Sequence, residues 1–295
     1  ENSPRKYSYY TTLHQHIDYD KLRDIIYNIP KNSYIIVTEK VHGTSAVTGY
    51  VKIPSKEKWY HKLFNKVGIN IKPKEEYKYL IGTRNVVLDG SPDAYFKDMF
   101  RYHCADKFKH ALRKGETIYY EICGFTESGK LISAKQDLNK LKKDYKNIKA
   151  FSEQMIYSYG CKENECKIFV YRITITNEDG FSYDLSTAQC IQRCSELDLE
   201  FVPILDSFIY DGNPETLLER ANKFNSEDEL KSSTICSEHI SEGVVLRVEN
   251  VILKKDKQRI PLIIKHKSFI FGVLEGYLKD NINYEDPEDN EVESE

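Results

Sequence analysis

The sequence contains no apolar run near the roughly 20 residues that a membrane-spanning helix needs, and no secretory pattern opens it. A membrane role is therefore not expected. Its seven cysteines lack the even number and regular spacing of a disulfide framework, which predicts free thiols in a reducing compartment, cytoplasmic or nuclear. They also lack a zinc pattern: Cys161-x4-Cys166 and Cys190-x3-Cys194 match no strong ligand spacing, so small buried hydrophobes are expected there. A large excess of one charge is missing too, since the net charge is −3. The distribution is more informative. Residues 280–295 hold eight Asp and Glu and no Lys or Arg, leaving +5 on residues 1–279. That pattern predicts one mildly basic body over 1–279, suited to a polyanion, and an acidic disordered tail over 280–295.

What is present is an ordinary globular composition, 40% hydrophobic and 30% charged, in 295 residues, enough for a large core. Residues 52–78 form a basic insertion with eight lysines against three glutamates, interleaved with Trp59, Tyr60, Phe64 and Tyr77. Such a mixture suits a nucleic-acid surface, where ammonium groups meet phosphate and rings stack on bases. It suits equally a solvated loop with a few packing aromatics.

Periodicity predicts helices over 19–29, with Leu22, Ile25, Ile26 and Ile29 on one face, and over 94–114, with Phe96, Phe100, Phe108, Ala111 and Leu112 as a buried stripe. Further helices are predicted over 136–157, over 186–197 behind a Ser-x-x-Gln capping box, and over 214–225. Apolar or alternating runs predict strands at 34–37 and 46–53, paired as a hairpin, and at 79–87, 117–124, 167–176, 241–248 and 261–267. In the strand over 167–176, alternation places Phe169 and Tyr171 on one face and Val170 and Arg172 on the other.

Several of these strands carry charge where burial makes charge costly. Lys40 ends the first, three residues before Gly43, with Thr44 and Ser45 following. Glycine there allows close approach of a backbone or a phosphate. Arg84 lies within an apolar frame, Glu121 lies mid-strand, Glu242 opens a strand, and Lys265 and Lys267 close the last one on a common face. A lone strand carboxylate usually completes an ion pair. Six such features in one order are more specific.

The series Lys-x-x-Gly, Thr-Arg-Asn, Tyr-Glu-Ile-x-Gly, Val-Tyr-Arg-Ile, Glu-Gly-Val-Val-Leu-Arg, Lys-x-Lys resembles the covalent nucleotidyltransferases, which include DNA ligases, RNA ligases and capping enzymes. The Glu-Lys-x-His-Gly-Thr form of the first motif is most similar to phage nick-sealing and kinetoplastid RNA ligases. The resemblance spans residues 34 to 270. It implies an α+β nucleotidyltransferase fold with antiparallel sheets lining an ATP cleft, and ATP-dependent sealing of RNA 5′-phosphate and 3′-hydroxyl ends. Lys40 matches the lysine that attacks the α-phosphate to give lysyl-AMP. An ammonium is not a nucleophile, so that lysine must shed its proton, which partial burial and nearby positive charge favour. Lys265 and Lys267 would supply charge. Glu121 and Glu242 match the carboxylates that hold ribose or a divalent metal, Mg²⁺ or Mn²⁺. Arg84 matches the arginine that meets the nucleotide or the nucleic-acid end, and Tyr171 the aromatic that stacks on adenine. The resemblance places Glu39 at the adenine edge, and His42, Gly43 and Thr44 near the phosphates.

Arg172 departs from the pattern, because the relatives carry an acid after the stacking aromatic. It implies a missing metal ligand or a phosphate contact instead. Only 28 residues follow Lys267, too few for the oligonucleotide-binding barrel of DNA ligases and capping enzymes, which favours an RNA acceptor. A DNA ligase core, a capping guanylyltransferase and a non-catalytic nucleic-acid-binding protein of the same fold are the alternatives.

Overall fold

The computed structural model describes residues 5–7, 12–53, 76–88, 99–142, 144–276 and 278. Most of the basic insertion, Phe96 and the acidic tail lie outside them. The strands in chain order are β1 (Arg5–Lys6), β2 (Asp20–Lys21), β3 (Tyr34–Lys40), β4 (Thr44–Ile53), β5 (Glu76–Gly82), β6 (Val86–Leu88), β7 (Glu116–Gly124), β8 (Gln136–Asp137), β9 (Gln154–Met155), β10 (Cys166–Thr176), β11 (Ser182–Asp184), β12 (Glu200–Phe201), β13 (Ile204–Ile209), β14 (Gly243–Lys255) and β15 (Gln258–Lys267). All but β8 and β9 join one sheet, mostly antiparallel, whose main path runs β1-β6-β5-β4-β7-β10-β11-β15-β14-β3-β13. This is the expected α+β architecture. The three-residue strand β11 joins a limb of β4, β7 and β10 to a limb of β15, β14 and β3.

The expected hairpin of the first two strands does not form. β3 pairs with β13 and β14, whereas β4 pairs with β5 and β7. Ile35, Ile36 and Val37 are all buried, so β3 is covered on both faces and has partners on both edges. Its neighbour in sequence therefore belongs to the other limb, and Val41–Gly43 crosses between them.

Thr-Arg-Asn is likewise not inside a strand. Thr83 to Asn85 turns β5 into β6, with the Thr83 hydroxyl accepting from the Asn85 and Val86 amides at 3.3 Å, a side-chain-stabilised turn. The predicted helix over 136–157 is absent. Asp137 caps a 3-10 turn at Leu138–Lys140, accepting from the Asn139 amide, and a second 3-10 turn follows at Ile148–Ala150. Asn147 adopts φ 62°, which breaks helical geometry. Leu138, Leu141, Tyr145, Met155 and Tyr157 nevertheless reach one core cluster, so the helical spacing reported burial without the helix.

The helix over 19–29 reduces to Leu22–Ile25 and a 3-10 turn, with Leu22, Ile26 and Ile29 packed on β14 and β15 residues such as Leu246 and Ile264. The 94–114 stripe becomes a helix at Phe100–Asp106 plus the 3-10 turn Lys109–Ala111. Phe100, Phe108 and Leu112 are buried, but Ala111 is exposed. The capping box stands as read, starting a helix at Thr187–Glu196, and Asn213 caps the helix Pro214–Asn222. Among the described residues no helix is long and apolar enough to cross a membrane.

Candidate active site

Between the two limbs lies a cleft of about 580 Å³, within the range of roughly 300–1,000 Å³ that holds small molecules. Strand register explains its charged floor. Gly243 pairs with Lys40 of β3 on one side and with Lys267 of β15 on the other, so Glu242, one residue earlier, sits between two lysines. Its Oε1 lies 2.5 Å from Lys40 Nζ and 3.4 Å from Lys267 Nζ, while Oε2 is 3.5 Å from His42 Nδ1. Gly243 has to be glycine, because a Cβ there would sit 2.4 Å from the His266 carbonyl oxygen.

The Glu242 side chain is 5% exposed. Burial pushes its carboxyl up, but Lys40, His42 and Lys267 outweigh this and hold it well below the usual carboxylate range. A depressed folded value adds stability above the unfolded carboxylate range, about 4.3 for Glu, and loses it as pH falls toward the folded value. Between pH 7 and pH 3 the urea midpoint of Glu242→Gln is therefore expected to fall less than that of the native chain. An equal fall in both would refute the linkage.

The crossover is fixed from beneath. Tyr159 hydroxyl accepts from the His42 amide at 2.7 Å, and Ser133 hydroxyl donates to the His42 carbonyl at 3.2 Å. A Cβ on Gly43 would meet the Ile122 carbonyl oxygen at 2.4 Å and Cys123 Sγ at 2.7 Å, so glycine serves close packing on β7. The His42 ring meets Tyr157 and Phe271 edge-on at 4.7 and 5.0 Å. Glu39 borders the cleft with both oxygens engaged: one accepts from Ser233 hydroxyl, the other from the amide and hydroxyl of Thr234 at 2.9 and 2.5 Å.

The opposite wall carries Thr44, Ser45, Glu121 and Tyr171. Glu121 pairs in register with Ser45 on one side and Phe169 on the other. Tyr171 and Ser45 hydroxyls are 3.0 Å apart. Arg84 reaches the cleft from the β5–β6 turn and pairs with Asp18, and Lys265 is buried in its lining. Of the residues that the resemblance placed at the nucleotide, all except Lys267 thus line the cleft, and Lys267 joins it through Glu242.

Arg172 is not part of the cleft lining, so it makes no phosphate contact there and supplies no acid in the place the relatives have one. The register of β10 on β7 shifts between Val170 and Arg172, a bulge that puts Arg172 opposite Tyr119 and breaks strict alternation. Its guanidinium lies 4.6 Å over the Tyr119 ring and donates twice to Asp184 at 2.8 Å. Burial disfavours that charge, but Asp184 more than compensates and holds the guanidinium firmly protonated.

Sequence reading gave no role to His16, Asp18, Tyr19, Arg101 or Arg247, the last of which ends the Glu-Gly-Val-Val-Leu-Arg motif, and all five line the cleft. Arg101 donates to Thr44 Oγ1 at 2.7 Å. The His16 ring meets Tyr19 at 4.9 Å and Tyr171 at 5.3 Å, and burial, then Arg172, Arg84, Lys40 and Lys265, hold it well below the usual histidine range. His16, Asp18 and Tyr19 fall in a Tyr- and His-containing opening, residues 1–20, that matches none of the six motifs. Cys190 and Cys194 are buried in the β7–β10 core. No group of three or more His, Cys, Asp or Glu able to hold a metal occurs among the described residues.

A lysine held by a buried carboxylate, facing a second carboxylate across a nucleotide-sized cleft between antiparallel limbs, defines a nucleotidyltransferase-type α+β protein. The RNA ligase family model matches residues 33–266, and the chain belongs to that family. Among solved structures, Naegleria gruberi RNA ligase with PPi is similar at TM-score 0.52 and 14% identity, over 89% of this chain and 58% of that chain. A lysine-to-alanine mutant of that ligase with ATP and Mn is similar at TM-score 0.51 and 13% identity, over 94% of this chain and 61% of that chain. The chain thus spans about three-fifths of that ligase, and the likeness is one of fold. A search of the curated proteins gives no match.

Proposed function

We propose that the chain is an ATP-dependent RNA ligase that joins 5′-phosphate to 3′-hydroxyl ends through adenylylated Lys40. The observation that carries this reading is the convergence of Lys40, His42, Glu242 and Lys267 on the floor of the cleft. In the first step Lys40 Nζ attacks the α-phosphorus of ATP and pyrophosphate leaves. AMP then passes to the RNA 5′-phosphate, and attack by the 3′-hydroxyl expels AMP and closes the phosphodiester.

Glu242 Oε1, at 2.5 Å, fixes the direction of the Lys40 amine, which limits the geometries that must be searched before attack. Lys265 and Lys267 neutralise phosphate charge from the β15 side, and Arg84 meets phosphate at the mouth. Tyr171, pinned by Ser45, offers its ring to the base, with Glu39 at the base edge and His42, Gly43 and Thr44 along the phosphates. Glu121 and Glu242 are hard oxygen donors that suit Mg²⁺ or Mn²⁺. Two carboxylates alone fit an ion that keeps water and phosphate oxygens as its remaining ligands. When bound, the ion would withdraw charge from the reacting phosphates.

Incubation with α-labelled ATP or GTP, followed by a denaturing gel, tests the reading. Label from ATP is expected to stay on the protein and to be consumed on addition of nicked duplex RNA. Label from GTP alone would indicate a capping-type transferase. Discharge by nicked DNA but not by RNA would indicate a DNA ligase, and no label at all a non-catalytic binding protein.

A further inference from the structure

Behind the wall that carries Tyr171 lies a second cavity, of about 340 Å³, lined by Cys104, Cys161 and Cys166 together with His103, Lys107 and Glu127. Cys104 belongs to the helix Phe100–Asp106 and Cys166 opens β10. Their sulfurs are 3.3 Å apart, so a bond of about 2.05 Å needs only a modest sulfur movement. Cys104 is buried, while Cys166 is half-buried beside the cavity and open to a small oxidant.

We propose that Cys104 and Cys166 form a reversible disulfide when the protein meets a peroxide, and that this modification weakens the first step at Lys40. The Cys166 sulfur attacks the peroxide, the O–O bond breaks, and a sulfenic acid forms while the leaving oxygen takes a proton. The Cys104 sulfur then attacks Cys166, its proton leaves with the hydroxyl as water, and the S–S bond closes. Two thiols are oxidised and one peroxide is reduced.

The hydrogen bond shared with Cys104 and the nearby Lys107 ammonium draw the Cys166 thiol down, against the cost of partial burial. The same bond, with burial, pushes Cys104 up. Exposure assigns the roles: half-buried Cys166 is the sulfur that a peroxide reaches, and buried Cys104 is the one that resolves it. Cys161, in the same cavity, is pushed up by burial. Coupling to the cleft runs through the short helix. Arg101, one turn before Cys104, donates to Thr44 Oγ1 at 2.7 Å, and Thr44 begins the strand that follows the Lys40 crossover. Drawing Cys104 toward β10 displaces the helix that aims this arginine.

Peptide mapping of the full chain after hydrogen peroxide and thiol alkylation tests the chemistry without reference to ligase activity. The expected product is a Cys104–Cys166 linked peptide, reversed by dithiothreitol and missing from Cys104→Ser and Cys166→Ser. A Cys161–Cys166 link, or Cys166 overoxidised without any link, would overturn the pairing. The coupling, which rests on the ligase reading, is tested by ATP labelling. Peroxide is expected to lower labelling of the native chain by about fivefold or more, with recovery on reduction and no effect on Cys166→Ser. A linked protein that labels at the full rate would overturn the coupling. Failure to label before any oxidation would instead overturn the ligase reading and leave the peptide map to decide the modification.

Discussion

Lys40→Arg is expected to abolish the ATP-derived label on the protein and to lower RNA sealing by roughly 10⁶-fold, the scale on which loss of a covalent nucleophile acts. Arginine is the informative replacement because it keeps a cation against Glu242. Lys40→Ala would leave that buried carboxylate with only Lys267 and His42, mixing a folding defect into the catalytic one. A guanidinium stays protonated under all working conditions and cannot attack phosphorus. The thermal midpoint of Lys40→Arg is expected to remain near that of the native chain. Retained label in this variant would place the nucleophile elsewhere.

The largest effect on stability is expected at Asp184→Ala. The Arg172 and Asp184 side chains are 0% and 1% exposed, and removing one partner of a buried pair costs about 3–5 kcal/mol, because the other charge is left desolvated. The urea midpoint should fall accordingly. The double change Arg172→Met with Asp184→Leu removes both charges and keeps bulk in the core, so it is expected to regain most of the loss. If the single and double variants were equally unstable, the pair would not be the source of the penalty.

That pair also marks what the residues alone could and could not tell. Charge inside apolar strands was readable, since each such residue must be paired or used, and nearly all of them do line the cleft. Distant pairing was not readable. Tyr34–Val37 and Ala46–Ile53 are neighbours in sequence with a short link, which normally means a hairpin, yet tertiary partners assign them to different limbs. One bulge in β10 was enough to move Arg172 off the face, shared with Val170, that strict alternation gave it. Arg101 carries no local signal at all. Its side chain becomes part of the cleft only because a helix packs behind β4.

The placement of β3 between β13 and β14 has a consequence for how the protein is made. Lys40 and Glu242 are 202 positions apart, and Lys267 is later still. During synthesis the apolar segment Tyr34–Val37 leaves the ribosome long before the strands that flank it exist. It must stay unpaired while most of the chain is translated, a sticky edge in search of a partner. The ion cluster therefore assembles among the last contacts of folding, and a chain released before β15 is complete lacks Lys267, one of its members.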